Sequence, residues 1–188
     1  MAVADDATLI RRWQRGDAAA LAALVERWQT PVARFLARLA GRDRAADLCQ
    51  ETFLRLIRSP HGYREQGTFS TWLFQVALNV ARDAGRRWAP TAAVSPRPES
   101  ARGALSDPPD ALLERDELAR AVADAVRNLP AGLREVLALR HDAGLNFEAM
   151  ARLTGTPAST LKSRFAAALT RLRDQLAQVG YLAEETHP

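Results

Sequence analysis

Polar side chains recur at helical spacing in residues 67–88, the stretch of this 188-residue chain best equipped for chemistry. Intervals of three and four residues would place them along one face of an α-helix. That face carries Asn79, Arg82, Asp83, Arg86 and Arg87. Guanidinium groups bind phosphates, and amide side chains can pair with base edges. The face therefore suits a nucleic acid, although the solvated side of an ordinary amphipathic helix would show the same pattern.

The opposite face of the same stretch is apolar and predicts what holds the helix in place. Its members are Phe69, Trp72, Leu73, Val76, Ala77, Val80 and Ala84. A stripe of this width is typical of a helix packed on a core. Thr68 or Ser70 can cap the first turn. We therefore expect one helix whose back, including Trp72, is buried.

A second constellation occupies residues 146–173, where the pattern predicts a short helix, a glycine turn and a longer helix. Asn146 can cap the short helix, and Thr156 followed by Pro157 is a typical start of the longer one. In a helix-turn-helix, the beginning of the second helix reaches base edges in the major groove. That beginning carries Ser159, Thr160, Lys162, Ser163 and Arg164. A plain αα-hairpin would look similar, but residues 154–173 contain no acid, which favours DNA binding.

A third polar group, Asp47, Gln50 and Glu51, shares one face of a helix predicted at about residues 44–58. The buried face of that helix is predicted to hold Cys49, Phe53, Leu56 and Ile57. Most polar faces of this kind are only solvated. The loop that follows, residues 59–67, offers groups that can stack on or hydrogen-bond to bases. They are His61, Tyr63, Arg64 and Gln66.

The residues needed for a catalytic or metal site form no recognisable pattern. His61, His141 and His187 share no helical face and no metal-ligand spacing. The sequence contains no glycine-rich phosphate loop and no nucleophile motif. We therefore expect no catalysis, no cofactor, no metal and no small-molecule substrate.

The cellular location can be predicted from the cysteine count and from hydropathy. The single cysteine, Cys49, excludes an internal disulfide and fits a reducing compartment. Its place among apolar helical positions predicts a buried, structural thiol. The sequence shows no signal-like start and no run long enough to insert into a membrane. We therefore expect a cytoplasmic protein.

The elements that position these groups are predicted to be helices throughout, because alternating apolar runs and hairpin turns are nearly absent. Residues 89–110 are rich in proline and poor in large apolar side chains, which is typical of a linker. The predicted fold is therefore all-α, with two small helical domains at residues 1–88 and 111–179 and a tail at residues 180–188. Within the first domain, Pro31 should kink or break a helix.

Three ordered motifs make the chain resemble a bacterial sigma factor of the extracytoplasmic-function group. They are DLCQETFLRL at 47–56, FSTWLFQVALNVARDAGRR at 69–87 and LPAGLREVLALRHDAGLNFEAMARLTGTPASTLKSRFAAALTRLR at 129–173. The likeness covers nearly everything outside the predicted linker and tail. It implies a protein that directs core RNA polymerase to promoter DNA and helps to open the minus-ten element. It also implies an anti-sigma factor as a partner.

The resemblance further implies a role for each polar face. Asp47, Gln50 and Glu51 match the segment that docks on the clamp helices of the polymerase β′ subunit. The loop at 59–67 matches a pocket for a base flipped out of the minus-ten element, and the polar face of 67–88 matches the promoter-melting surface. The helix-turn-helix matches the part that reads the minus-thirty-five element and meets the β flap.

Two positions depart from the family pattern. Leu78 stands where many relatives carry a basic residue, so one contact with the DNA backbone is expected to be missing. Ser159 stands where many relatives have glycine, which would alter promoter preference. The sequence is also consistent with one alternative function. This is a stand-alone helix-turn-helix regulator that binds duplex DNA without polymerase.

Overall fold

The computed structural model describes residues 4–63, 68–87 and 109–181, with side chains for all of these except residues 87 and 109–116. In chain order the helices are α1 (Asp6–Gln14), α2 (Ala18–Ala40), α3 (Arg42–Arg58), α4 (Phe69–Arg87), α5 (Pro109–Arg127), α6 (Ala131–His141), α7 (Phe147–Thr154) and α8 (Ala158–Gln178). A short 3-10 turn, Pro60–Gly62, follows α3. The described part of the chain contains no strand, which confirms the all-α prediction.

Several sequence predictions fall on residues that lie outside this description. They concern Arg64 and Gln66, the side chain of Arg87, the predicted linker as far as residue 108, and the tail from residue 182 onward. The predicted linker ended at residue 110, whereas α5 already begins at Pro109. Asp110 therefore lies inside the first turn of that helix.

Side-chain caps form at the start of several helices, among them the predicted Thr68, which accepts from the N–H of Thr71 at 3.3 Å, and the predicted Asn146. Asp17 accepts hydrogen bonds from the backbone N–H groups of Ala19 and Ala20 at 2.9 and 3.2 Å. Asn146 accepts one from the N–H of Ala149 at 2.8 Å. These bonds satisfy donors that have no partner within the helix. At α8 the prediction of a Thr156 cap is wrong, because the helix begins at Ala158 without a side-chain cap.

Pro31 lies inside α2, which continues from Ala18 to Ala40 without the expected break. The proline ring removes one backbone N–H from the helix. Leu24 on one side of Pro31 and Val32 and Phe35 on the other are all buried in the same core. Burial of the segments before and after Pro31 offsets the lost hydrogen bond, so the helix continues past the proline.

The back of α4 is the centre of the N-terminal half, which comprises α1–α4. Phe74 is 1% exposed and packs edge-on against Phe35 and Trp28, with ring centroids 5.1 and 6.0 Å away. Edge-to-face contact places the positive rim of one ring on the negative face of another. Leu73 and Leu78 are buried beside it. The apolar face of α4 is therefore broader than the stripe read from the sequence.

Some apolar residues at helical spacing are less buried than the pattern predicts. Trp72 is only half-buried, at the edge of the core beside Tyr63. Ile57 on α3, and Leu118 and Leu169 in the C-terminal half, are exposed. Helical spacing identifies the apolar face of a helix, but the neighbouring helices determine how much of that face they cover.

The C-terminal half, α5–α8, is organised around α6, whose four consecutive residues Val136, Leu137, Ala138 and Leu139 are all buried. Consecutive buried residues point in different directions, so α6 is covered on more than one side. Leu137 packs in a cluster with Leu129 and Ala168. The other three belong to the apolar cluster that also contains the core of α1–α4. Thus α6 lies between α8 and α2, and the two halves share buried surface.

Among the helices that the structure describes, none combines the length and apolar character needed to cross a bilayer.

Substitution of Phe74 tests the position of the core. We expect Phe74→Ala to lower the free energy of unfolding by about 3–5 kcal/mol, because it removes a fully buried ring from three-ring packing. Trp72→Ala should cost less, since Trp72 is half-exposed. Urea denaturation followed by circular dichroism measures both, with the exposed Leu54→Ala as control. A larger loss for Trp72→Ala than for Phe74→Ala would contradict this account of the core.

Candidate functional site

The outer face of α3 combines polar and apolar groups along one stripe. Asp47 and Gln50 are exposed, and Leu54 and Ile57, 37% and 45% exposed, follow them at helical spacing. Positions 47, 50, 54 and 57 therefore share a face. Large apolar side chains exposed in a row are typical of protein–protein contact surfaces. The stripe is suited to docking against another helix.

An apolar groove between α2 and α3 borders this stripe. Its volume is about 730 Å³, and its floor and walls include Val25, Ala33, Phe53, Leu54 and Ile57. Arg34 and Arg42 are the charged residues of its lining. Cys49 also lines the groove, so it is half-buried rather than enclosed in the core. Burial raises the pKa of the Cys49 thiol, which therefore stays protonated at neutral pH.

Arg55 joins the polar face of α3 to that of α4. Its guanidinium donates to Glu51 at 2.8 Å and to Asp83 at 2.9 Å. The hydrogen bond to Glu51, and then the one to Asp83, raises the pKa of Arg55 further above its ordinary value. Asp83 also pairs with Arg86 on its own helix. Arg55 therefore orients the carboxylate of Glu51, while the side chains of Asp47 and Gln50 are exposed to solvent.

The polar face of α4 forms as predicted, although its residues differ in their surroundings. Asn79 and Arg86 are exposed. Arg82 is engaged across the molecule, where Glu135 of α6 accepts two hydrogen bonds from its guanidinium at 2.7 and 3.2 Å. Leu78, the family departure noted above, is 1% exposed and belongs to the core. It does not belong to the polar face at all.

Part of the loop before α4 is described, and it packs on aromatic rings. Tyr63 lies 5.8 Å from Trp72 and 5.9 Å from Phe69, measured between ring centroids. The side-chain amide of Gln14 donates to the carbonyl oxygen of Pro60 at 3.0 Å and ties the turn to α1. His61 is exposed on that turn. The described part of the loop is therefore held beside the first turn of α4, where the aromatic rings cluster.

The predicted helix-turn-helix is formed by α7, a turn and α8. Gly155 ends α7 with φ 71°, a left-handed conformation that suits glycine. Thr154 donates to the carbonyl oxygen of Met150 at 2.8 Å and accepts from the N–H of Thr156 at 3.2 Å. Met150 on α7 and Leu161 on α8 are both buried in the same apolar cluster. The turn is thus held by hydrogen bonds on one side and by apolar packing on the other.

The first turns of α8 present an exposed polar surface. Ser159, Lys162, Ser163 and Arg164 are exposed, and Thr160 is half-buried. Lys162 lies 5.9 Å from the centroid of the Phe147 ring, and Arg140 lies 5.8 Å from it. Such contact holds a cation in place without neutralising it. This surface has the composition needed to bind phosphates and base edges.

Comparison with sequence-family models divides the chain in the same way as its polar faces. The model described as Sigma-70 region 2 matches residues 24–89, and the model described as Sigma-70, region 4 matches residues 119–172. The first range contains α3 and α4, and the second contains the helix-turn-helix.

Curated relatives extend the match over most of the chain. The ECF RNA polymerase sigma-E factor of Haemophilus influenzae is 31% identical over 167 residues, which cover 85% of this chain and 88% of the relative. The protein of the same name from Escherichia coli K12, and the RNA polymerase sigma-H factor of Pseudomonas aeruginosa, are each 32% identical and cover 85% of this chain and 87% of the relative. The chain belongs to the extracytoplasmic-function group of sigma-70 factors. It therefore directs RNA polymerase to promoters at initiation, and the stand-alone regulator is not favoured.

Solved structures show the same fold. CnrH in complex with the cytosolic domain of CnrY matches with a TM-score of 0.67 at 24% identity, covering 92% of this chain and 97% of CnrH. RpoE of Bartonella quintana in complex with the anti-sigma factor NepR matches with a TM-score of 0.65 at 23% identity, covering 81% and 94%.

Two features of this sigma factor were missed by sequence reasoning. The first is the exposed pair Leu54 and Ile57, which could have been found because both continue the spacing of Asp47 and Gln50. The second is Glu135, whose partner lies 53 residues away in the chain. Within the described residues no group of histidine, cysteine and carboxylate side chains could hold a metal ion.

The cap at the start of α7 can be tested by substitution. We expect Asn146→Ala to cost about 1 kcal/mol, because the N–H of Ala149 loses its acceptor. A chain of this length should then melt about 2–4 °C lower. Differential scanning calorimetry measures the shift, with Asn146→Asp, which keeps the acceptor, as the control. Equal melting of the alanine and aspartate variants would show that the cap contributes nothing.

Proposed function

We propose that residues 1–88 form the part of this sigma factor that binds core polymerase and the minus-ten element, and that residues 111–179 form the part that binds the minus-thirty-five element. What carries the proposal is that each of the three motifs presents an exposed polar face on a different helix. These helices are α3, α4 and α8. A protein that acts by binding needs accessible faces of different chemistry and no reacting group, so we propose that it is not an enzyme. Because it acts with RNA polymerase, we also propose that it is cytoplasmic.

In this proposal the stripe on α3 docks on the clamp helices of the β′ subunit. Asp47, Gln50 and Glu51 supply polar contacts, and Leu54 supplies apolar contact area. A charged rim around an apolar anchor is the usual composition of a tight interface. Arg55 supports this use, because it positions Glu51 before the partner arrives. Less ordering is then required on binding.

The minus-ten element is assigned to α4 and the loop before it. His61, Tyr63 and Arg64 would border a base removed from the stack, and Asn79, Arg82, Asp83, Arg86 and Arg87 would follow the separated strand. Capturing an unstacked base offsets a melting cost of a few kcal/mol. The ring cluster of Tyr63 and Trp72 offers a surface of the kind on which bases stack.

The minus-thirty-five element is assigned to the beginning of α8. The residues are Ser159, Thr160, Lys162, Ser163 and Arg164. Hydroxyl groups can bond either to bases or to phosphates, whereas Lys162 and Arg164 would bind phosphates or guanine. The β flap of the polymerase is proposed to meet the same half of the protein.

An anti-sigma factor is the further partner that we propose. RpoE, a protein of the same fold, was solved with the anti-sigma factor NepR, and CnrH was solved with the cytosolic domain of CnrY. An anti-sigma factor that covered the α3 stripe would compete directly with core polymerase.

Removal of the α3 contacts tests the docking surface. We expect Asp47→Ala with Gln50→Ala to weaken binding to purified core polymerase by about 1 kcal/mol or more, roughly fivefold. The melting temperature should not change, since both side chains are exposed. Glu26→Ala, an exposed acid on α2, is the matched control. Core binding equal to wild type in the double variant would refute the assignment of this face.

The role of α8 is tested by the salt dependence of DNA binding. With core present, Lys162→Ala and Arg164→Ala should each lower the slope of log K against log salt by about 0.9, because each removes one phosphate contact. Arg173→Ala, exposed near the other end of the helix, should leave the slope unchanged. Fluorescence anisotropy on promoters mapped from transcript start sites supplies the measurement. Slopes unchanged in both variants would contradict the assignment.

A further inference from the structure

The first helix, α1, carries none of the three motifs, yet it reaches the loop before α4. We call residues 59–63, the described part of that loop, the loop base. At the end of α1 the half-buried Gln14 donates from its side-chain amide to the carbonyl oxygen of Pro60 at 3.0 Å, across 46 positions of the chain. Pro60 opens the 3-10 turn that leads directly into Tyr63. A residue outside the motifs therefore holds the turn from which the proposed base-contacting side chains extend.

The loop base depends on contacts with its surroundings, because its own backbone holds it weakly. The N–H of Gly62 donates to the carbonyl oxygen of Ser59 at 2.9 Å, whereas Pro60 has no N–H to donate. Hydrogen-bond geometry in 3-10 turns is also poorer than in α-helices. Trp72 lies close to the turn, since a methyl group added at Gly62 would be 3.3 Å from its ring carbon Cζ2. The turn therefore rests on two neighbours, the Gln14 amide and the Trp72 ring.

The helix that presents Gln14 is itself fixed at several points. In its first turn Asp6 pairs with Arg27 of α2 at 2.5 Å and accepts a hydrogen bond from the indole N–H of Trp28 at 3.2 Å. The residues that α1 buries in the core are Leu9, Ile10 and Trp13. Gln14 follows the last of these directly. Its side chain therefore extends from a helix that cannot shift without disturbing the core.

A chain of aromatic rings gives α1 a second connection to the loop base. Trp28, which donates to Asp6, lies 6.3 Å from Phe69 between ring centroids. Phe69 in turn lies 5.9 Å from Tyr63. Close-packed side chains transmit displacements to one another. The position of α1 therefore affects the loop base at two places, directly through Gln14 and indirectly through the rings.

We propose that Gln14 is a positioning residue for minus-ten recognition, because its bond to Pro60 keeps His61 and Tyr63 in the arrangement that accepts an unstacked base. This proposal rests on the proposed minus-ten role of α4 and the loop before it. A loop that is ordered before DNA arrives loses less conformational freedom on binding. Without the bond, only a fraction of the molecules has the binding arrangement, and the apparent affinity falls by that fraction.

The test measures capture of a single base. Core polymerase with the full chain is titrated against a labelled single strand that carries the minus-ten element of a promoter mapped from transcript start sites. Fluorescence anisotropy gives the affinity. In a series of abasic strands, each base of the element is removed in turn while its sugar and phosphate stay, and the position that costs most identifies the captured base. The ratio of the affinities for the intact strand and for that abasic strand measures the capture, because a general loss of binding acts on both strands and cancels.

Two substitutions remove the hydrogen-bond donor of Gln14. Gln14→Met keeps the length of the side chain, and we expect it to lower the affinity for the intact strand roughly fivefold without changing that for the abasic strand. Gln14→Glu keeps the shape but places an acceptor against the carbonyl oxygen, so the affinity ratio should fall at least as far. Gln178→Met, the same change at an exposed glutamine of α8, is the control and should leave the ratio unchanged. Circular dichroism checks that each variant is folded.

A third substitution separates the hydrogen bond from simple packing. Gln14→Lys supplies a donor of similar reach, and its added charge attracts both strands alike, so the affinity ratio should return to that of wild type. If Gln14 only filled space, methionine would preserve the ratio. A ratio that stayed low in Gln14→Lys would show that the donor is not what matters and would overturn the proposed role.

The results also separate this inference from the function on which it rests. If no abasic strand binds wild type more weakly than the intact strand does, the loop captures no base, and the proposed minus-ten role of the loop fails together with the inference. If one position matters but Gln14→Met and Gln14→Glu keep the wild-type ratio, the positioning role alone is wrong. A lower ratio in both variants, restored by lysine, supports the inference.

Discussion

The burial of α6 on two sides is the constraint on which the arrangement of this molecule depends. Leu137 faces the cluster with Ala168, while Val136 and Leu139 join the core of α1–α4. In this molecule α8 covers one side of the 11-residue helix, and α2 of the other half covers another. The apolar side of α6 that faces α2 must be covered by α2 or by another apolar surface, because exposing apolar area to water costs roughly 25 cal/mol per Å². The relative position of the halves therefore follows from the sequence of one short helix.

Local sequence patterns predicted the helices, the polar faces and the cap at Asn146. These features are local, since spacing of three and four residues determines which side chains share a face. Asp17 and Asn146 cap helices because their short side chains reach a neighbouring N–H whatever the rest of the chain does. The resemblance to sigma factors depends on the same local features, and for that reason it could be recognised from the residues.

The features that sequence reasoning missed depend on contacts between distant residues. Glu135 looks like one of many exposed acids until α4 is placed beside it. Trp72 and Ile57 have the spacing of buried residues, but no helix covers them fully. Pro31 should interrupt a helix, yet packing on both sides of it outweighs one missing hydrogen bond. In each case the tertiary environment decides the outcome, and no window of neighbouring residues contains that information.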